Sequence, residues 1–155
     1  MMIYPALKYV HILGATILFG TGLGIAFFLF IAMRTREVAT IAATLRIVVL
    51  ADFVFTAPAV IVQLLSGVEL AGVLGIPLTE PWIAGALALY VLVGVCWLPV
   101  VAIQLRMLRL AERASHDGAP LPDAFRRLYR IWFVLGWPAF AGVLGILALM
   151  IWKPG

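Results

Sequence analysis

The stretch RIVVLADFVFTAPAVIVQLLSG, residues 46–67, decides how this chain folds. It is long enough to cross the roughly 30 Å hydrocarbon core of a bilayer as a helix, which takes about 20 mostly apolar residues rising about 1.5 Å each. Its polar residues are not scattered. Asp52, Thr56, Gln63 and Ser66, with Ala59 between them, recur at alternating steps of four and three, so they share one helical face. Polar groups turned toward hydrocarbon are costly, so this face predicts an inward side and hence a bundle for it to face.

Working outward, three more runs of the same kind appear. The spans are read at Ile3 to Met33, Arg46 to Gly67, Trp82 to Leu105 and Ile131 to Trp152. Of the 155 residues, 65% are apolar and 12% charged, against about 25% charged in a soluble domain. The fold class predicted is all-α: a polytopic membrane protein forming a four-transmembrane-helix bundle, a single integral membrane domain over residues 1–155. The first span has no basic region before it and no small-residue cleavage site before its end, so it is read as retained and not as a signal peptide.

The nine arginines orient the bundle. Arg34, Arg36 and Arg46 follow the first span; Arg106, Arg109, Arg113, Arg126, Arg127 and Arg130 lie between the third and fourth. The connection between the second and third carries Glu69 and Glu80 and no basic residue. The positive-inside rule then predicts both termini outside, in a bacterial inner membrane, with Tyr4, Trp82 and Trp152 at the outer interface. The net charge of +4 sits at the edges of apolar runs, which excludes a solvated nucleic-acid-binding patch. Cys96 stands alone inside a span, so no internal disulfide can form.

Within the spans, Pro58, Pro99 and Pro138 predict kinks, and Gly20, Gly22 and Gly24 predict a close-approach surface. The third span has a lining face of Tyr90, Gly94, Trp97, Val101 and Gln104, and the first a face of Lys8, His11, Ala15, Leu18 and Gly22. Asp52 is the one acidic residue well inside a span; it needs a partner or a proton, and Arg130 or Arg106 is the partner expected, as a buried ion pair that fixes helix register. His11, about 9 Å below the outer end and near the depth of Gln63, is the one histidine in a span. His116 lies in the inner loop and is read as solvated. A single imidazole is a weak zinc or copper signal, but haem iron can be held by one histidine between apolar and aromatic walls.

The pattern Leu7-Lys8-Tyr9-Val10-His11-Ile12, with Val49-Leu50-Ala51-Asp52-Phe53, Cys96-Trp97-Leu98-Pro99, and Arg127-Leu128-Tyr129-Arg130 before Trp137-Pro138, resembles a family of predicted bacterial four-helix membrane proteins of unknown function. More distantly, the order of Lys8 and His11, Pro58 and Gly67, Tyr129 and Arg130, Pro138, and Lys153-Pro154 resembles HemJ-type protoporphyrinogen oxidases and CopD-like membrane domains. That resemblance implies haem b, with His11 as the metal ligand, and a haem-dependent membrane oxidoreductase if the protein is an enzyme. HemJ-type proteins carry a lysine early in the third helix and an Asn-Glu before the proline of the fourth. Here those places hold Ile83, Ala84 and Gly85, and Leu135, Gly136 and Trp137, so the cofactor is carried over and the reaction is not. The expected cofactor residues are His11, Lys8, Gln63, Tyr90, Trp97 and Lys153, the lysines meeting the propionates. Electron transfer or haem-linked redox chemistry follows, with a quinone or redox partner and a homodimer as companions. The alternatives are a non-enzymatic membrane subunit or assembly factor, and a small oligomeric transporter using Asp52, His11 and the proline kinks.

Overall fold

A computed structural model of the protein describes residues 3–154, and among them it contains helices and connecting turns. The first span is α1 (Ile3–Thr35). The second is α2 (Val38–Ala51) and α3 (Ala57–Leu74), joined without a break by a π-helical turn at Asp52–Thr56. The third is α4 (Pro81–His116) and the fourth α5 (Asp123–Trp152). Each of the four is long and apolar enough to cross a membrane. The protein is a four-helix membrane bundle.

The turns follow from local chemistry. Gly75 takes φ +65° at the end of α3, and Ile76 N–H bonds back to Ala71 O at 2.9 Å. Gly118 takes φ +60° after α4, where Ala119 N–H bonds Ala114 O at 2.9 Å. Both are left-handed closures that glycine enters without a Cβ penalty. Pro81 opens α4 at a position where a missing N–H costs no helical bond. Pro58 stands at the start of α3, just after the π turn. Helices α4 and α5 run on through Pro99 and Pro138.

Helices are longer than the spans read from hydropathy. The second begins at Val38, eight residues ahead of Arg46, and α4 continues past Leu105 to His116. The arginine-rich region is therefore two helical extensions joined by a short turn. Apolar residues at helical spacing explain it: Ile103, Met107, Ala111 and Ala114 are buried along α4. Met107 and Ala111 join Ile41, Ala42, Leu45 and Val48 of α2, Leu29 of α1 and Phe125 of α5 in the main core. That core occupies the arginine-bearing half of the molecule.

The other half is packed in pairs. Helix α3 packs on α1 and α4 packs on α5, while α2 bridges α1 and α4. Glycine permits two close approaches between α4 and α5: a Cβ at Gly142 would lie 2.6 Å from Val93 Cγ2, and one at Gly145 would lie 2.8 Å from Leu89 Cδ1. Among the described residues no neighbouring helix uses the close-approach surface expected at Gly20, Gly22 and Gly24: a Cβ at Gly20 or Gly22 meets nothing within 4 Å, and one at Gly24 meets only Phe28 of the same helix, at 3.9 Å. Spacing by two turns successive residues about 200° around a helix, so no single neighbour meets all three.

A candidate functional site on the inward face of the second span

The polar face read from the sequence does turn inward. Asp52, Thr56, Ala59 and Ser66 are buried and Gln63 is half-buried. Two polar clusters form along it, separated by the seven residues from Thr56 to Gln63, or about two helical turns.

The outer cluster joins α1 to α3 through His11. Ser66 Oγ–H donates to Val62 O at 2.6 Å, the carbonyl one turn before it. With its proton committed there, the Ser66 oxygen accepts from His11 Nδ1–H at 2.9 Å. The other ring nitrogen, Nε2, is left with its lone pair, and the Gln63 amide donates to it at 3.2 Å. The tautomer is thus assigned by the hydrogen-bond network. Gln63 Oε1 is buried with no hydrogen-bond partner and is turned toward Gly14, where a Cβ would lie 2.6 Å from it. A Cβ at Gly67 would lie 3.0 Å from His11 Cε1. Glycine at 14 and 67 therefore lets the imidazole and the amide lie flat between two helices.

The inner cluster lies at the π turn. Trp97 Nε1–H donates to Asp52 Oδ1 at 3.4 Å, and Thr56 and Gln104 stand beside the same carboxyl. Asp52 is 4% exposed, Thr56 7% and Gln104 1%. Asp52 Oδ2, Thr56 Oγ1 and Gln104 Oε1 are buried without a hydrogen-bond partner. The ion pair expected between Asp52 and Arg130 does not form. Arg130 and Arg106 are both exposed, and the ion pairs among the described residues are Arg46–Glu112 and His116–Asp117. A guanidinium held at the surface keeps its hydration, and the tryptophan supplies a donor at lower desolvation cost.

The six residues expected to surround one cofactor are divided among several places. His11 and Gln63 are together. Tyr90 Oη–H donates to Val60 O at 2.8 Å, and Trp97 belongs to the Asp52 cluster. Lys8 lies over Tyr4 at 5.8 Å, and Lys153 over Trp82 at 5.4 Å. His116 is exposed, as read. Sequence reading put Ser66 on the right face without giving it a role, and passed over Gly14 altogether. Its signal was the three-residue step from Gln63 to Ser66, which offers two polar groups to one imidazole.

Residues 5–154 match the model of a family described as Predicted integral membrane protein (DUF2269). The chain belongs to that family. No curated protein and no solved structure matches it. The match takes in all four spans and both polar clusters, so the inward face of the second span lies wholly within the part of the chain that defines the family.

Proposed function

We propose that this multi-pass protein belongs to a bacterial inner membrane, with both termini outside, and binds a b-type haem on His11 for electron transfer or haem-linked redox chemistry. The observation that carries the reading is the Ser66 anchor on Nδ1. Histidines that ligate metals characteristically donate their other ring N–H to a fixed acceptor, which sets the tautomer and directs the free lone pair at the metal. Here Nε2 carries that lone pair, which in this structure accepts from the Gln63 amide at 3.2 Å. Further support comes from the ordered resemblance to HemJ-type and CopD-like proteins.

The fit is one of donor and not of walls. Tyr90, Trp97, Lys8 and Lys153 have other partners and are not assigned to the cofactor. The apolar groove between α1 and α3, lined by Gly14, Ile17, Pro58 and Val62 among others, measures about 190 Å³, below the roughly 300–1,000 Å³ of small-molecule pockets. A haem on His11 therefore requires Gln63 to turn aside from Nε2 and walls beyond those this groove supplies. When bound, the group would supply one-electron chemistry; Ser66 would hold the imidazole orientation and Gly67 the space beside the ring.

A second reading is favoured by a specific observation: both nitrogens of His11 already have partners, so the residue can act as a clasp between α1 and α3 in a non-enzymatic membrane subunit. An absorption spectrum of the detergent-purified protein separates the two. Haem binding predicts a Soret band that is lost in His11→Ala and kept in His116→Ala. Protein that stays colourless after haem supplementation overturns the haem reading and leaves the clasp.

A further inference from the structure

The inner cluster has no part in that reading. Asp52 is a carboxyl inside a membrane bundle, only 4% exposed, and the hydrogen bond it accepts from the Trp97 indole is a long one. The elements packed on the π turn are α1, α2 and α3, and α4 supplies Trp97. Their titratable groups nearest in sequence depth are His11 and Arg34 of α1, Arg46 of α2, and Tyr90, Cys96 and Arg106 of α4. None pairs with it: His11 is held by Ser66 and Gln63, Tyr90 by Val60, and Arg46 by Glu112. An ionised carboxylate without a counter-charge in such surroundings is strongly disfavoured.

The Trp97 indole, the Thr56 hydroxyl and the Gln104 amide beside the carboxyl are polar but uncharged, so none of them supplies a counter-charge. Oδ2 of Asp52 and Oε1 of Gln104 are both buried acceptors without a donor. A proton on Oδ2 removes the charge and turns one of these acceptors into a donor, with the Gln104 amide beside the carboxyl to receive it. Trp97 N–H continues to serve Oδ1. A proton needs no cavity, and a π turn is a feature often found at functional sites.

We propose that Asp52 is a proton-binding site of the bundle, holding its proton at neutral pH as a carboxylic acid that donates to Gln104 Oε1. Its position favours exchange from the arginine-bearing end, since Arg46, exposed at the surface, lies six residues away, or about 9 Å along the helix. The site stands independently of any cofactor at His11.

Infrared spectroscopy of the purified full chain in detergent, at neutral pH, tests this. The remaining carboxyl side chains of the protein, Glu37, Glu69, Glu80, Glu112, Asp117 and Asp123, are exposed or half-buried, so Asp52 is the one buried carboxyl side chain among the described residues. A carboxylic-acid C=O band is expected that shifts in heavy water and is lost in Asp52→Asn, a variant that keeps the shape of the neutral acid. No acid band in the wild type, or a band that survives Asp52→Asn, overturns the proposal. Should Asp52→Asn fail to fold, Gln104→Leu gives the reading: loss of the acceptor moves the band to higher wavenumber, and an unmoved band overturns the proposal.

Discussion

Between His11 and Ser66, a hydrogen bond of 2.9 Å links two helices inside a bilayer, where such bonds contribute about 0.6–2 kcal/mol. A double-mutant cycle with His11→Ala and Ser66→Ala, read by unfolding in detergent, is expected to give a coupling energy in that range. A coupling indistinguishable from zero would mean that the network assigning the Nδ1–H tautomer does not exist. The cycle leaves open whether Nε2 meets iron, which the absorption spectrum decides. At this scale the sequence was partly legible. Helical spacing placed Asp52, Gln63 and Ser66 on one inward face because period alone determines direction. Partners were not legible. Whether Asp52 meets Arg130 or Trp97 depends on how two distant helices are rotated and on which donor loses less hydration by burial, and neither is encoded in local spacing.

The helices themselves were legible in number and not in extent. Hydropathy marks what crosses lipid, while Met107, Ala111 and Phe125 are buried in a bundle that continues among charged residues, where the hydropathy of any window is diluted by arginine. The π turn at Asp52–Thr56 also escaped the reading, although Pro58 lies just after it and marks a place where helical bonding is already incomplete. Glycines show the difference between composition and contact. Gly142→Val adds bulk 2.6 Å from Val93 and is expected to lower stability by about 1–3 kcal/mol through forced separation of α4 and α5. Gly22→Val, where a Cβ meets nothing within the chain, is expected to stay within about 0.5 kcal/mol as a monomer. Thermal unfolding of both in one detergent compares them. Equal losses would show that the α4–α5 approach is not as close as described.

For the whole molecule, charge asymmetry carries the orientation. Every arginine lies toward one end of the bundle, and Glu69 and Glu80 lie toward the other. With Cys96→Ala as background, an impermeant thiol reagent applied to spheroplasts is expected to label Leu78→Cys, in the turn before α4, and to reach Asp117→Cys, in the turn after it, only after lysis. The reverse pattern would invert the proposed topology.

The pairing of α1 with the second span, and of α4 with α5, has a consequence for how the chain is made. Each pair consists of neighbours in sequence joined by a short turn, so each can close as a hairpin soon after its second member enters the membrane. The His11 clasp draws only on residues of the first hairpin, so its formation does not depend on α4. The Asp52 cluster is different. Its carboxyl and threonine come from the first hairpin, while its tryptophan and glutamine come from the second. A newly inserted first hairpin therefore carries a carboxyl still lacking Trp97 and Gln104, and the arrival of α4 brings the side chains that enclose it.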